Sequence, residues 1–216
     1  MRIIEGKANI ISGFLTYLQD ESKLSFGDVE YLAFPENEND VCEFLKFCCN
    51  KNIPVTISNG KTGVVGGAVP IAGALMSLEK FNKIFGVRKS GGEYRVRLES
   101  GVSLDEFYKF LENENFSGEK YFYPVDVTES TAKIGGTVST NASGERSFKY
   151  GPTRNWVRSL RVVLSDGNVL LIERGKIFAD GYDLEIKLPD GSIKKIKIPQ
   201  YKMPSVKNAA GYYAKK

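Results

Sequence analysis

Lys133-Ile134-Gly135-Gly136-Thr137-Val138-Ser139-Thr140-Asn141-Ala142-Ser143-Gly144 is the stretch on which the reading of this chain turns. Its side chains are too small and too uniform for a core strand or helix. With three glycines and nothing large, it offers a bare backbone able to lie flat against something planar. Pro124 and Asp126 stand just upstream, and Lys149-Tyr150-Gly151 just downstream. About 75 residues earlier lies a second stretch of this kind, Ser58-Asn59-Gly60-Lys61-Thr62-Gly63-Val64-Val65-Gly66-Gly67. Successive backbone N–H groups in such a turn form a concave anion site suited to a diphosphate, with the Thr62 hydroxyl and the Lys61 charge as further donors. Alone, this loop is equally compatible with a plain tight turn. It fits neither the Walker A pattern nor the spaced Gly-x-Gly-x-x-Gly of dinucleotide folds. Two such stretches in one chain are harder to dismiss.

Outward from these loops, hydrophobic spacing predicts the elements that carry them. Ile10, Ile11, Phe14, Leu15 and Leu18 mark residues 1–27 as a helical lead-in. Val29 to Phe34 reads as a strand, Glu36 to Asn50 as a helix with Val41, Phe44, Leu45 and Cys48 on one face, and Pro54 to Ile57 and Leu75 to Leu78 as strands. Phe81 to Ile84 reads as a turn. Tyr94 to Glu99 alternates as a half-buried strand does. Leu104 to Asn113 is an amphipathic helix whose Asp105, Glu106 and Tyr108 read as surface groups. Asp166-Gly167 and Asp190-Gly191 each sit between two strand-like runs, a strong hairpin signal. Strand–helix–strand first and hairpins later means α+β with mixed or antiparallel sheets flanked by helices, not a doubly wound fold. The division expected is a first subdomain at 28–85 and a second at 86–216.

Composition excludes several classes. Hydrophobic residues are 42% and charged residues 26% of the 216, the balance of a globular chain, not a disordered one. A net charge of +4 is too mild for a nucleic-acid binder. Lys194, Lys195 and Lys197 alternate with isoleucines, as on the solvated face of a strand. No apolar run approaches the roughly 20 residues of a membrane helix. Cys42, Cys48 and Cys49 are an odd, unspaced set within one helix. They read as buried thiols, not as a disulfide or zinc site, and a reducing cytoplasm fits them. There is no histidine, which removes the commonest general base and metal ligand, so no metal site is expected.

Six blocks then fall in a recognisable order. They are Tyr31-Leu32-Ala33-Phe34-Pro35; Ile53-Pro54-Val55 leading into Thr62-Gly63 and Gly66-Gly67-Ala68-Val69-Pro70; Glu99-Ser100-Gly101-Val102; Ile134-Gly135-Gly136 through Asn141 and Gly144, then Lys149-Tyr150-Gly151; Leu164-Ser165-Asp166-Gly167; and Pro204-Ser205-Val206-Lys207-Asn208-Ala209-Ala210-Gly211-Tyr212. From about Val29 to its last residue the sequence resembles the FAD-binding domain of the vanillyl-alcohol oxidase family, the p-cresol methylhydroxylase type, which includes FAD subunits of bacterial glycolate oxidase and D-lactate dehydrogenase. The resemblance implies a two-subdomain fold with FAD across it. Ser58, Asn59, Gly60, Lys61, Thr62 and Gly63 would face the diphosphate. Pro124, Asp126, Lys133, Ile134, Gly135, Gly136, Thr140, Asn141, Ala142, Ser143 and Gly144 would line the rest.

The departures from the family are specific. Its first loop usually has three glycines before the threonine, where this chain has Asn59, Gly60 and Lys61. Asn59 is expected to keep a left-handed turn, and Lys61 and Lys133 to bring charge to the phosphates. Lack of histidine implies non-covalent flavin. The resemblance also implies a small 2-hydroxy acid as substrate, and a chain that stops before the cap domain holding substrate and catalytic residues, so no residue here is assigned to catalysis. Three alternatives stay open: an FAD-holding subunit that needs a partner chain or a second copy, a scaffold that has lost FAD, and an unrelated nucleotide-phosphate binder.

Overall fold

A computed structural model describes residues 1–116, 118–200, 202 and 204. Of the block at 204–212, all but Pro204 lies outside the described residues. The chain begins with strand β1 (Arg2–Glu5), helix α1 (Lys7–Phe14) and a 3-10 turn (Leu15–Leu18), followed by β2 (Asp28–Phe34), α2 (Glu38–Asn50), β3 (Val55–Ser58) and β4 (Ala72–Ser77). Strand order is β1-β2-β4-β3, with β2, β4 and β3 parallel and β1 antiparallel on the edge. The lead-in is therefore not wholly helical: residues 2–5 extend the sheet, and Gly6, at φ 86, turns the chain into α1.

Both faces of this sheet are covered. Ala33, Ala74 and Met76 meet Val41, Phe44, Leu45 and Cys48 of α2, while Val29, Leu32, Phe34 and Leu75 meet Ile10 and Leu18 on the other side. Val29 and Leu32 share a face despite their odd spacing because the β2–β4 register shifts between Val29 and Tyr31. Asn37 caps α2 by accepting the Asp40 N–H at 3.0 Å, worth about 1 kcal/mol. Of the three thiols on α2, only Cys48 is buried; Cys42 is half-buried and Cys49 exposed, against the expectation of three buried thiols. Leu15 is also exposed, because the helix tightens to a 3-10 turn at that residue.

The later part is made of hairpins around a helix. Strands β5 (Ile84–Ser90) and β6 (Glu93–Leu98) join through Gly91-Gly92, both left-handed as a two-residue hairpin turn requires. Helix α3 (Leu104–Asn113) packs Phe107 and Leu111 against Tyr94, Val96 and Leu98 of β6. Its N-terminus is a full capping box between Ser103 and Glu106. Two short helices follow, α4 (Ile134–Ser139) and α5 (Ser147–Tyr150), then the hairpins β7 (Ser159–Val163) with β8 (Val169–Glu173) and β9 (Asp183–Lys187) with β10 (Ile193–Lys197). The small residues at 134–139 thus form a turn and a half of helix, not extended backbone. Their lack of bulk lets the helix press against the turn at Ser100. β5 is an element that the sequence pattern did not mark.

Candidate functional site

The two glycine-rich stretches meet at one carbonyl. Ser100, in the turn between β6 and α3, accepts the Asn59 side-chain amide at 2.9 Å and the Gly135 N–H at 2.8 Å. Close approach on both sides explains the glycines. A Cβ on Gly135 would stand 2.7 Å from the Ser100 Cβ, and one on Gly60 2.9 Å from the Lys133 Cγ. The turn itself is held by Gly101, whose N–H donates to the Phe81 carbonyl at 2.6 Å. Ile134 N–H donates to the Val102 carbonyl at 2.9 Å, so the start of α4 is stitched to the same turn.

At its other end the second stretch folds onto residues 124–127. Glu145 N–H donates to the Asp126 carbonyl at 3.2 Å, and a Cβ on Gly144 would lie only 1.3 Å from that oxygen. Asp126 pairs with Arg146 at 3.1 Å, and Pro124 is buried. Asn141 is left-handed at φ 48, and its Oδ1 accepts the Arg154 N–H at 3.0 Å. The Ala142 carbonyl accepts both the N–H and the hydroxyl of Thr153. Thr140 turns back on its own helix, its hydroxyl donating to the Gly136 carbonyl at 2.9 Å.

Three site residues hold buried polar atoms without a partner: Ser58 Oγ, Asn59 Oδ1 and Asn141 Nδ2. Such atoms cost about 1–3 kcal/mol each unless a ligand completes them. Among the described residues no backbone N–H from Gly60 to Val65 donates to the protein. Gly63, Gly67 and Gly136 face open space, with nothing within 4 Å of where a methyl would stand. A groove of about 550 Å³ runs between Asp20 and Lys23 on one wall and Gly60, Thr62, Glu129 and Thr131 on the other. The Ser58 hydroxyl, the Asn141 amide nitrogen and the N–H groups of the first loop can donate to phosphate oxygens, while Asn59 Oδ1 can accept from a nucleotide hydroxyl or N–H, so the residues present fit a dinucleotide.

One backbone expectation changes here, and both loop lysines have partners within the protein. Among residues 58–63 the left-handed position is Lys61, at φ 58, and not Asn59; Asn59 instead ties the loop to Ser100. The Lys61 amine reaches away to the Thr16 carbonyl at 3.0 Å. Lys133 is occupied by Glu106 at 3.7 Å. Glu106 is exposed, as its surface reading expects, and also caps α3; Tyr108 is half-buried instead, its hydroxyl donating to the Val125 carbonyl at 2.7 Å. Ser100 was missed as a site residue, although the compact Glu99-Ser100-Gly101-Val102 turn carried the signal. Near the site, burial beside Phe107 pushes the Tyr123 phenol up to about 12, burial also raises Tyr108, and bonds from Ser103 hold the Glu106 carboxyl low. Each moves away from neutrality. No cluster of three metal-ligating side chains occurs among the described residues.

Taken together, a mixed sheet and a set of hairpins joined through paired glycine-rich segments define a nucleotide-cofactor domain. The family model described as an FAD binding domain matches residues 29–173, and this chain belongs to that family. It is 41% identical over 142 residues to a D-lactate dehydrogenase of Anaerostipes hadrus, covering 65% of this chain and 28% of that protein. To a mitochondrial D-2-hydroxyglutarate dehydrogenase of Danio rerio it is 34% identical over 146 residues, covering 67% and 26%. It therefore spans about a quarter to a third of the length of such relatives. The fold matches that of 6-hydroxy-D-nicotine oxidase from Arthrobacter nicotinovorans with a TM-score of 0.67 at 18% identity, over 81% of this chain and 36% of that one. No helix among the described residues is long and apolar enough to cross a membrane.

Proposed function

We propose that this chain binds FAD non-covalently and is the flavin-binding part of an oxidoreductase acting on a small 2-hydroxy acid. The observation that carries the reading is the convergence of residues 58–63 and 133–144 on the Ser100 carbonyl, with Ser58 Oγ, Asn59 Oδ1 and Asn141 Nδ2 left to be completed. In it, the loop at 58–63 holds the diphosphate through backbone N–H groups, and the Asn141 amide and the α4 backbone hold the remainder. FAD, when bound, would supply the two-electron oxidation of a carbon that bears a hydroxyl. The protein's own share is to orient it and exclude water. Non-covalent binding is supported by the lack of histidine and by the placement of all three cysteines on α2. The substrate class rests on the lactate and hydroxyglutarate dehydrogenases among the relatives. Substrate contacts then come from further sequence or a second chain, and a reducing compartment such as the cytoplasm suits the free thiols.

The test is titration of the 216-residue protein with FAD, followed by flavin fluorescence, by quenching of Trp156, the single tryptophan, and by thermal melting. At a free concentration a hundredfold above Kd, FAD adds about 2.7 kcal/mol. That corresponds to a melting rise of about 5–11 °C in a domain of this size. FMN, NAD and ATP should give much less. A folded protein indifferent to FAD refutes the proposal, and equal response to ATP or NAD replaces it with a general nucleotide-phosphate site.

A further inference from the structure

Residues 16–24 lie ahead of the family match, which begins at residue 29, yet they are fastened to the first glycine-rich loop. The Lys61 amine donates to the Thr16 carbonyl at 3.0 Å and stands 4.6 Å over the Tyr17 ring. Tyr17 is itself fixed, edge-on against Phe34 with ring centres 5.1 Å apart, its hydroxyl donating to Glu79 at 2.9 Å. In return the Glu21 N–H donates to the Lys61 carbonyl at 3.2 Å. Further along the loop, Gly66 is left-handed and so close to Leu24 that a Cβ would fall 2.4 Å from its Cδ1. Lys61 holds this place in a left-handed conformation that costs a non-glycine residue about 1–2 kcal/mol. Such strain persists only where the surroundings fix it, and glycine would relieve it at once. The side chain must therefore contribute something that glycine lacks.

We infer that Lys61 is a positioning residue that latches the cofactor loop to the segment 16–24, so that this segment sets the affinity for FAD. The inference rests on the FAD reading above. The latch holds Gly60 to Val65 with their N–H groups free for a diphosphate. Without it the loop must be ordered at the moment of binding, and affinity drops.

Three variants of the full chain test this by FAD titration: Lys61→Met, which keeps the stem and the strain but loses the donor; Lys61→Gly, which loses the donor and the strain together; and Lys61→Arg, which can again reach Thr16 and cover Tyr17. Loss of a charged hydrogen bond and a cation–π contact predicts Kd about tenfold higher for Met and for Gly, and within about threefold of wild type for Arg. Thermal melting verifies that each folds. Binding by Lys61→Gly as tight as wild type, or tighter, overturns the latch, because strain alone would then explain the residue. Should the unaltered chain ignore FAD, the functional proposal fails separately. The latch is then judged by hydrogen exchange of the Glu21 amide, which quickens in the Met and Gly variants if it exists and is unchanged if it does not.

Discussion

Replacing Gly136 with alanine should make the protein more stable and a poorer binder of FAD. Gly136 lies inside α4, its φ is not in the left-handed region, and a methyl there meets nothing within 4 Å. On stability alone alanine is the better residue, by about 0.5–1 kcal/mol from backbone entropy. In a chain of this size that raises the melting temperature by about 1–4 °C. If the cofactor lies against this backbone, the same methyl stands where it must sit. Overpacking of that kind costs about 1–3 kcal/mol, so Kd should rise about 5- to 150-fold. Melting of the FAD-free variant and a fluorescence titration measure the two effects on one sample. A variant that melts higher and binds FAD as tightly as wild type refutes the placement of FAD on α4. One that melts lower refutes the open space around Gly136.

Gly144→Ala should act in the opposite sense on stability, because the new Cβ falls about 2 Å short of ordinary contact with the Asp126 carbonyl; we expect about 1–3 kcal/mol lower stability by denaturant unfolding, together with loss of FAD binding. Asn141→Asp retains the acceptor for the Arg154 N–H but replaces the unpartnered Nδ2 with an oxygen. Melting without FAD should stay near wild type while affinity falls about tenfold or more, and unchanged affinity would remove Asn141 from the site. Glu106→Gln tests the cap of α3. The Ser103 N–H and hydroxyl, then Lys133, hold the Glu106 carboxyl below its usual value. A depressed carboxylate contributes stability that is present above the unfolded pKa of about 4.3 and is lost as pH falls through the folded value. The glutamine variant, neutral throughout, should therefore show a shallower decline in melting temperature between about pH 6 and about pH 3; an identical acid slope would show that the bond is not formed.

Much of the fold was legible because local patterns and tertiary context agree. Leu104–Asn113 is helical as its spacing predicted, and both Asp-Gly hairpins pair within a residue or so of the expected runs. The sheet order was not legible. Strand β4 inserts between β2 and β3 through long-range pairing that no local pattern encodes. β1 is four residues long and exposed on an edge, so its hydrophobic signal is faint. β5 breaks its alternation at the register shift between Ile84 and Val87.

By itself the sequence determined the α+β class, the two stretches that bare their backbone, and the absence of any histidine to do acid–base work. Those follow from residue type and spacing alone, since glycine, proline and apolar periodicity act over a few neighbours. Tertiary structure alone decided how the site is assembled. It put the Ser100 carbonyl between Asn59 and Gly135, gave the left-handed turn to Lys61 in place of Asn59, and sent both loop lysines to Thr16 and Glu106. Where a lysine amine finds its partner depends on which carbonyl or carboxylate the fold brings within about 3–4 Å. Those partners lie 45 and 27 positions away in the chain, beyond the reach of any local pattern.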